Sequence, residues 1–230
     1  MNGPRTIIFD VSGTIMLEDR IKLQKPYLTI AGQTAPGDGI TLGGDAFLVY
    51  ADDVIVRYIR CRLGDQSGRD DDAVSINRGS NIIFDHVTAS WSIDETFSCQ
   101  SDEVDSLTVQ WCLISESLRY SHHEKGEHGY GGIIGSLRQT FHHNLYAHHS
   151  SRSPKVTWRQ HCKVDFRNNV IYNWGYNNCY DGTSSYMNWA DNYYKARPAT
   201  SSGVKNRIFN LSDENKGEYE KYETSLYAEG

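Results

Sequence analysis

Three stretches, T-F-H-H-N-L-Y-A at 140–147, V-D-F-R-N-N-V-I-Y at 164–172 and N-W-A-D-N-Y-Y at 188–194, repeat one pattern. Each has a short run of strand formers, an asparagine and a second short run. Asn144, Asn169 and Asn192 fall at equivalent places, 25 and 23 residues apart. A period of about two dozen residues built from short strands and bends is one coil of a parallel β-helix, in which each turn stacks on the next. Asparagines stacked at a bend can bond along the helix axis and satisfy backbone groups that would otherwise be buried unpaired. Ordinary turn asparagines are the simpler alternative.

The same texture extends outward. Strand-like segments run from T-I-I-F-D-V at 6–11 through N-I-I-F-D-H-V at 81–87 to Y-M-N-W-A at 186–190, and alternation within them separates an interior face from a solvent face. Helical patterns are nearly missing; the best helix-compatible piece, Ser115 to Tyr120, also reads as a loop. A β-sandwich would bring Asn-Gly or Asp-Gly hairpin turns between consecutive strands, and these pairs are sparse where needed. The expectation is an all-β, right-handed, single-stranded parallel β-helix filling residues 1–230 as one domain, with an irregular charged tail over 200–230. The opening runs at once into R-T-I-I-F-D-V-S-G-T-I-M-L at 5–17, so the reading expects the natural beginning of the domain to be missing.

Composition narrows the function classes. A net charge of −6 repels nucleic-acid phosphate unless basic residues gather on one face. An acidic polysaccharide would be repelled too, so holding one requires local cations, either a bound metal or a few placed Arg and Lys. No run has the length of a membrane span, and the first residues lack the layout of a signal peptide. Cys61, Cys99, Cys112, Cys162 and Cys179 show no C-x-x-C spacing. An odd number leaves at least one unpaired within the chain, and burial as small apolar residues is the expectation for most.

The densest acidic cluster is Asp70-Asp71-Asp72, leading into a strand. Extended backbone puts Asp70 and Asp72 on one face and Asp71 on the other. Two carboxylates on one side suit a hard cation such as calcium. Asp94 and Glu95 follow about one coil later and would complete a four-carboxylate pocket; a solvated acidic turn is the bland alternative. Lys125, Arg152 and Lys155 are basic residues a few coils further on, where isolated cations are more often structural ion-pair partners. Adjacent histidines at 122–123, 142–143 and 148–149 point opposite ways on a strand, and a zinc site from His142 and His148 matches no known spacing.

Taken together, several motifs resemble polysaccharide lyase family 1, the pectate lyases, and especially its branch common in gut and soil bacteria. They are I-A-G-Q-T-A-P-G-D-G-I at 30–40, R-D-D-D-A-V-S-I-N-R-G-S-N-I-I-F-D-H at 69–86, S-W-S-I-D-E at 90–95, K-G-E-H-G-Y-G-G-I-I-G at 125–135, and F-H-H-N-L-Y-A-H-H-S-S-R-S-P-K at 141–155 followed by R-N-N-V-I-Y-N at 167–173. Their order over nearly the whole chain gives the resemblance its specificity, and the family's parallel β-helix agrees with the repeat. The resemblance implies calcium ligands at Asp70, Asp72 and Asp94. A further family carboxylate falls near Ser98, which leaves two alternatives: Glu95 substitutes for it, or the site is weaker. It implies a catalytic base at Arg152, in R-x-P with Pro154, and a second cation at Lys155, because the wider spacing of some relatives lands on Thr157. Lys125 is the implied third, catalytic cation, and His128 a substrate contact. Asp85 and His86 resemble a structural signature of the packed coil.

The implied activity is calcium-assisted β-elimination on polygalacturonate, by a secreted or cell-surface enzyme expected to be a monomer with neither nucleic acid nor membrane as partner. Two rivals share the fold. Hydrolysis would use paired carboxylates from Asp70, Asp72 and Asp94 as acid and base, and a non-catalytic carbohydrate-binding module would retain polymer without cutting it.

Overall fold

A computed structural model describes residues 3–157, 162–211 and 224–230. Short strands recur because each stretch of alternating apolar residues is cut by a residue with left-handed backbone, at Tyr58, His86, Trp111, His143 and Asn168 among others. Each break turns the chain by one corner, and all pairing between neighbouring coils is parallel. The result is three parallel sheets wound as a solenoid, which is the expected parallel β-helix.

The first sheet stacks Arg5–Ile8, Leu28–Ala31, Val54–Arg57, the second half of Val74–Asp85, Val104–Gln110, Arg138–His142, Cys162–Arg167, Ser185–Ala190 and Ser225–Glu229. The second stacks Gly13–Met16, Ile40–Gly43, Ile59–Arg62, Thr88–Ser90, Leu113–Ser115, Leu145–Ala147, Val170–Tyr172 and Tyr193–Lys195. The third begins with Ile21–Leu23, Phe47–Tyr50, the first half of Val74–Asp85 and Phe97–Ser98. A bridge from Cys99 to Ile134 carries it on to Ile133–Ile134, Lys155–Val156, Cys179–Asp181 and Phe209–Asn210. The tail therefore holds two strands that extend the coil, at 209–210 and 225–229, rather than irregular chain throughout. The segment after Ser115 is a loop with no helical turn.

Inside, a column of rings crosses successive coils: Phe47, Phe84, Phe97, Phe141, Phe166 and Trp189, with neighbouring centroids 4.2–6.4 Å apart. The asparagine positions form the expected ladder. Asn192 Oδ1 accepts from Asn169 N, Asn169 Oδ1 from Asn144 N, and Asn144 Oδ1 from Cys112 N, each at 2.9 Å. The amide nitrogens of the three donate inward to Phe166, Phe141 and Val109 carbonyls. Cys112 continues the ladder, its sulfur accepting from Val87 N at 3.4 Å. All five cysteines are buried and free, and burial pushes the thiols of Cys61, Cys99, Cys112 and Cys162 up to about 12.

Candidate active site

At the edge of the third sheet, register brings distant residues into one row. Phe97 pairs with Val74, so Glu95 sits over Asp72, and bridges continue the row from Glu95 to Tyr130 and from Tyr130 to Ser151. Three residues along, a second row runs Ser75, Ser98, Ile133, Lys155 and Tyr180. Sites 72, 95, 130 and 151 are far apart in sequence and one coil apart in space.

The coils pass closely here because two positions have no side chain. A Cβ on Gly131 would lie 2.3 Å from the Arg152 carbonyl oxygen, and one on Gly132 would lie 2.0 Å from that of Phe97. Neither distance is compatible with any residue but glycine.

Asp72, Asp94 and Glu95 converge, each offering an oxygen within 4.8 Å of the others. Asp72 Oδ1 accepts from Glu95 N at 3.0 Å and Oδ2 from the Ser75 hydroxyl at 2.6 Å. Burial, and after it the charge of Asp94, pushes the Asp72 carboxyl up to about 7, against hydrogen bonds from Ser75 and Ser98 that favour its charged form. Three carboxylates collected at the cost of mutual repulsion form an all-oxygen donor set, and this chemistry fits a hard divalent cation.

Asp71 points the other way, as alternation requires, and takes Arg20 in a two-pronged pair, Nε to Oδ2 at 2.7 Å and Nη2 to Oδ1 at 2.9 Å. Asp70 stands outside the converging group. Its Oδ2 accepts from Glu124 N at 3.1 Å, so it anchors the loop that follows Ser115.

Arg152 faces the same cluster. Its guanidinium pairs with the buried Glu95 carboxylate and lies over the Tyr130 ring, 4.3 Å from the centroid. Its backbone is left-handed, with φ of 59°, which turns the side chain back along the row. Tyr130 in turn meets Tyr176, hydroxyl to hydroxyl at 2.8 Å, and packs on His128 at 3.9 Å between ring centroids. Lys155 is half-buried, 3.5 Å from Asp181 Oδ2 and over the Tyr180 ring. Thr157, two residues further and just past the strand, is buried with its hydroxyl unpartnered. Lys125 is exposed on the loop. His128 is buried, its Nε2 2.6 Å from Asp94 Oδ1.

Sequence reading thus placed Asp72, Asp94, Glu95 and Arg152 together, and the structure brings them together. Asp70, which holds the loop through Glu124 N, and Lys125, exposed on that loop, stand outside the converging group. Tyr130 and Tyr176 were not singled out, and His123 was named only as one of an adjacent pair, although H-G-Y-G-G, with its two glycines beside an aromatic, marked a close backbone approach. Asp85 lies far from the cluster, tied to Arg57, Gln110 and His86. His142 and His148 do not converge: the first meets His143 and the second Asn173. Among the described residues no helix is long and apolar enough to cross a membrane.

No family model matches the chain. It is 42% identical over 204 residues to a protein named probable pectate lyase C from Aspergillus terreus, a match covering 86% of this chain and 45% of that protein. It is 42% identical over 206 residues to the protein of that name from Aspergillus flavus, with the same coverage. Against the Aspergillus oryzae protein of the same name the identity is 38% over 232 residues, 97% of this chain and 50% of the relative. These relatives are fungal rather than bacterial, and the chain spans about half their length. By identity over most of its residues, this chain is similar to proteins named probable pectate lyase C.

Proposed function

We propose that this chain carries the active site of a pectate lyase, cutting polygalacturonate by β-elimination with calcium as cofactor, outside the cell where that polymer is met. The observation that carries the reading is the pairing of Arg152 with a carboxylate of the Asp72, Asp94 and Glu95 group on one edge of the coil.

Elimination removes the proton from the carbon next to a uronate carboxylate. The C–H electrons become a ring double bond, the bond from the ring to the glycosidic oxygen breaks, and that oxygen leaves with a proton. Calcium bound at Asp72, Asp94 and Glu95 would hold the uronate carboxylate and stabilise the charge developing beside it. Arg152 is the proposed acceptor of the proton. Only the neutral guanidine can take the proton; a guanidinium ordinarily keeps its own to above about pH 12, and the Glu95 carboxylate beside it favours that charged form. The base therefore works only when Glu95 is otherwise engaged, and best in alkaline solution. Lys155, beside the same row, is the proposed grip on a neighbouring uronate, with Lys125 reaching from the loop and His128 beneath it. Asp70 would join the ligands while still accepting from Glu124 N at Oδ2, since a carboxylate has lone pairs for both.

Digestion of polygalacturonate with and without calcium tests the reading. Lysis leaves an unsaturated end that absorbs in the ultraviolet and stops in a chelator. New reducing ends without that absorbance would mean hydrolysis, and retention of polymer without cleavage would mean a binding module.

A further inference from the structure

Asp94 presents one oxygen to two imidazoles. His128 Nε2 lies 2.6 Å from Asp94 Oδ1 and His123 Nε2 lies 3.6 Å from the same atom. The two rings stack in parallel, centroids 3.9 Å apart and planes 6° from each other, and both residues are almost fully buried, at 5% and 6% exposure. Two imidazoles and a carboxylate within ligand distance of one another also have the composition of a transition-metal site.

The proton on His123 decides between these readings. Lys125 N–H donates to His123 Nδ1 at 3.0 Å, so Nδ1 supplies a lone pair, and the neutral ring carries its hydrogen on Nε2, facing Asp94. A nitrogen that bears hydrogen has no lone pair to offer a metal. His128 Nε2 is in ion-pair contact with Asp94 Oδ1 at 2.6 Å without hydrogen-bond geometry, and neither ring's Nε2 has a hydrogen-bond partner, so Asp94 is held by close charge contact.

The histidines belong to a loop that docks on the carboxylates at several points. Leu118 N donates to Ser92 O at 2.8 Å and Glu124 N to Asp70 Oδ2 at 3.1 Å. His128 N closes the loop on Arg119 O at 3.1 Å, and Arg119 pairs with Glu127 across it. Residues 116–129 are thus fastened through Asp70 and through Asp94, the second of which is a proposed calcium ligand.

We propose that His123 and His128 are positioning residues that clamp one oxygen of Asp94, turning the carboxylate toward Asp72 and Glu95, and that this clamp couples calcium affinity to docking of residues 116–129. The inference rests on the calcium reading above. It places His128 behind a ligand instead of against the sugar. Coupling is reciprocal, so an ion at the carboxylates holds the loop down as strongly as the docked loop holds the ion.

The test uses the whole chain, with calcium binding followed by calorimetry and loop docking by limited proteolysis within 116–129. His128→Phe keeps a ring and loses the N–H; His128→Gln keeps a donor. Loss of an outer polar partner of a ligand weakens metal binding by about ten- to a hundredfold. That loss is expected for His128→Phe, together with loss of calcium-dependent protection of the loop, while His128→Gln recovers most of the affinity. Should His128→Phe fail to fold, His123→Phe beside His128→Gln makes the same comparison. Wild-type calcium affinity in folded His128→Phe or His123→Phe overturns the clamp, as does absence of calcium binding in the native chain. Stoichiometric zinc binding lost in both Phe variants overturns it in favour of a metal site. A native chain that binds calcium through the clamp yet forms no unsaturated product refutes the lyase reading and leaves the clamp standing.

Discussion

Arg152 shows why one residue type is needed at one place. A lysine there would keep the charge and lose the planar fork that meets Glu95 while lying over Tyr130. Arg152→Lys should lower kcat by about a hundredfold or more, the usual contribution of a positioned base, with calcium affinity little changed; wild-type turnover would remove Arg152 from the chemistry. Asp72 carries the opposite burden, since its carboxyl is pushed up to about 7 by burial and by Asp94. In a chelator, the folded protein then holds more protons than the unfolded chain between about pH 4 and 7, so stability falls as pH rises through that window. Asp72 keeps partial contact with solvent, which limits the effect to on the order of 2 kcal/mol. Asp72→Asn should flatten the fall in urea titrations across that range; an unchanged slope would acquit Asp72. At this scale the sequence was legible where alternation or a motif fixed direction, as with Asp71 turned away to Arg20. It placed Asp70 among the calcium ligands and gave no sign of the loop backbone group, Glu124 N, that Asp70 holds, because no periodicity announces such a partner.

Among the elements, the asparagine ladder is the clearest case of a repeat read correctly from residues alone, because spacing and chemistry agreed at all three positions. It was not read far enough. Cys112 occupies the next rung and serves as a weaker acceptor, and a cysteine in an asparagine's place gives no signal of its own. Asn169 links both neighbours and also donates to Phe141 O at 2.9 Å. Asn169→Ala strands these buried groups and should cost about 2–4 kcal/mol, measured by urea unfolding. A change under half that would mean water replaces the side chain. The loop over 116–129 was the least legible element. Its position depends on Asp70, Ser92 and Asp94, all from earlier coils, so local pattern carries no trace of it.

For the molecule as a whole, the ring column from Phe47 to Trp189 joins most coils into one interior. Phe141 is fully buried at its middle, and Phe141→Ala should cost about 3–5 kcal/mol. Activity and far-ultraviolet dichroism should be lost at one denaturant midpoint. Two separated midpoints would mean that the coil ends unfold independently of the centre. The fold was legible because every coil repeats the same arithmetic, whereas the site's walls come from departures between repeats. That arithmetic also governs which rearrangements the solenoid tolerates. The unit from Asn144 to Asn169 is 25 residues, and excising it whole would splice one corner onto its own equivalent. Removing one residue fewer would turn every following side chain of the strand inside out. The chain therefore behaves as a screw thread: length is negotiable only in full turns, while the loops hung outside each turn are free to vary.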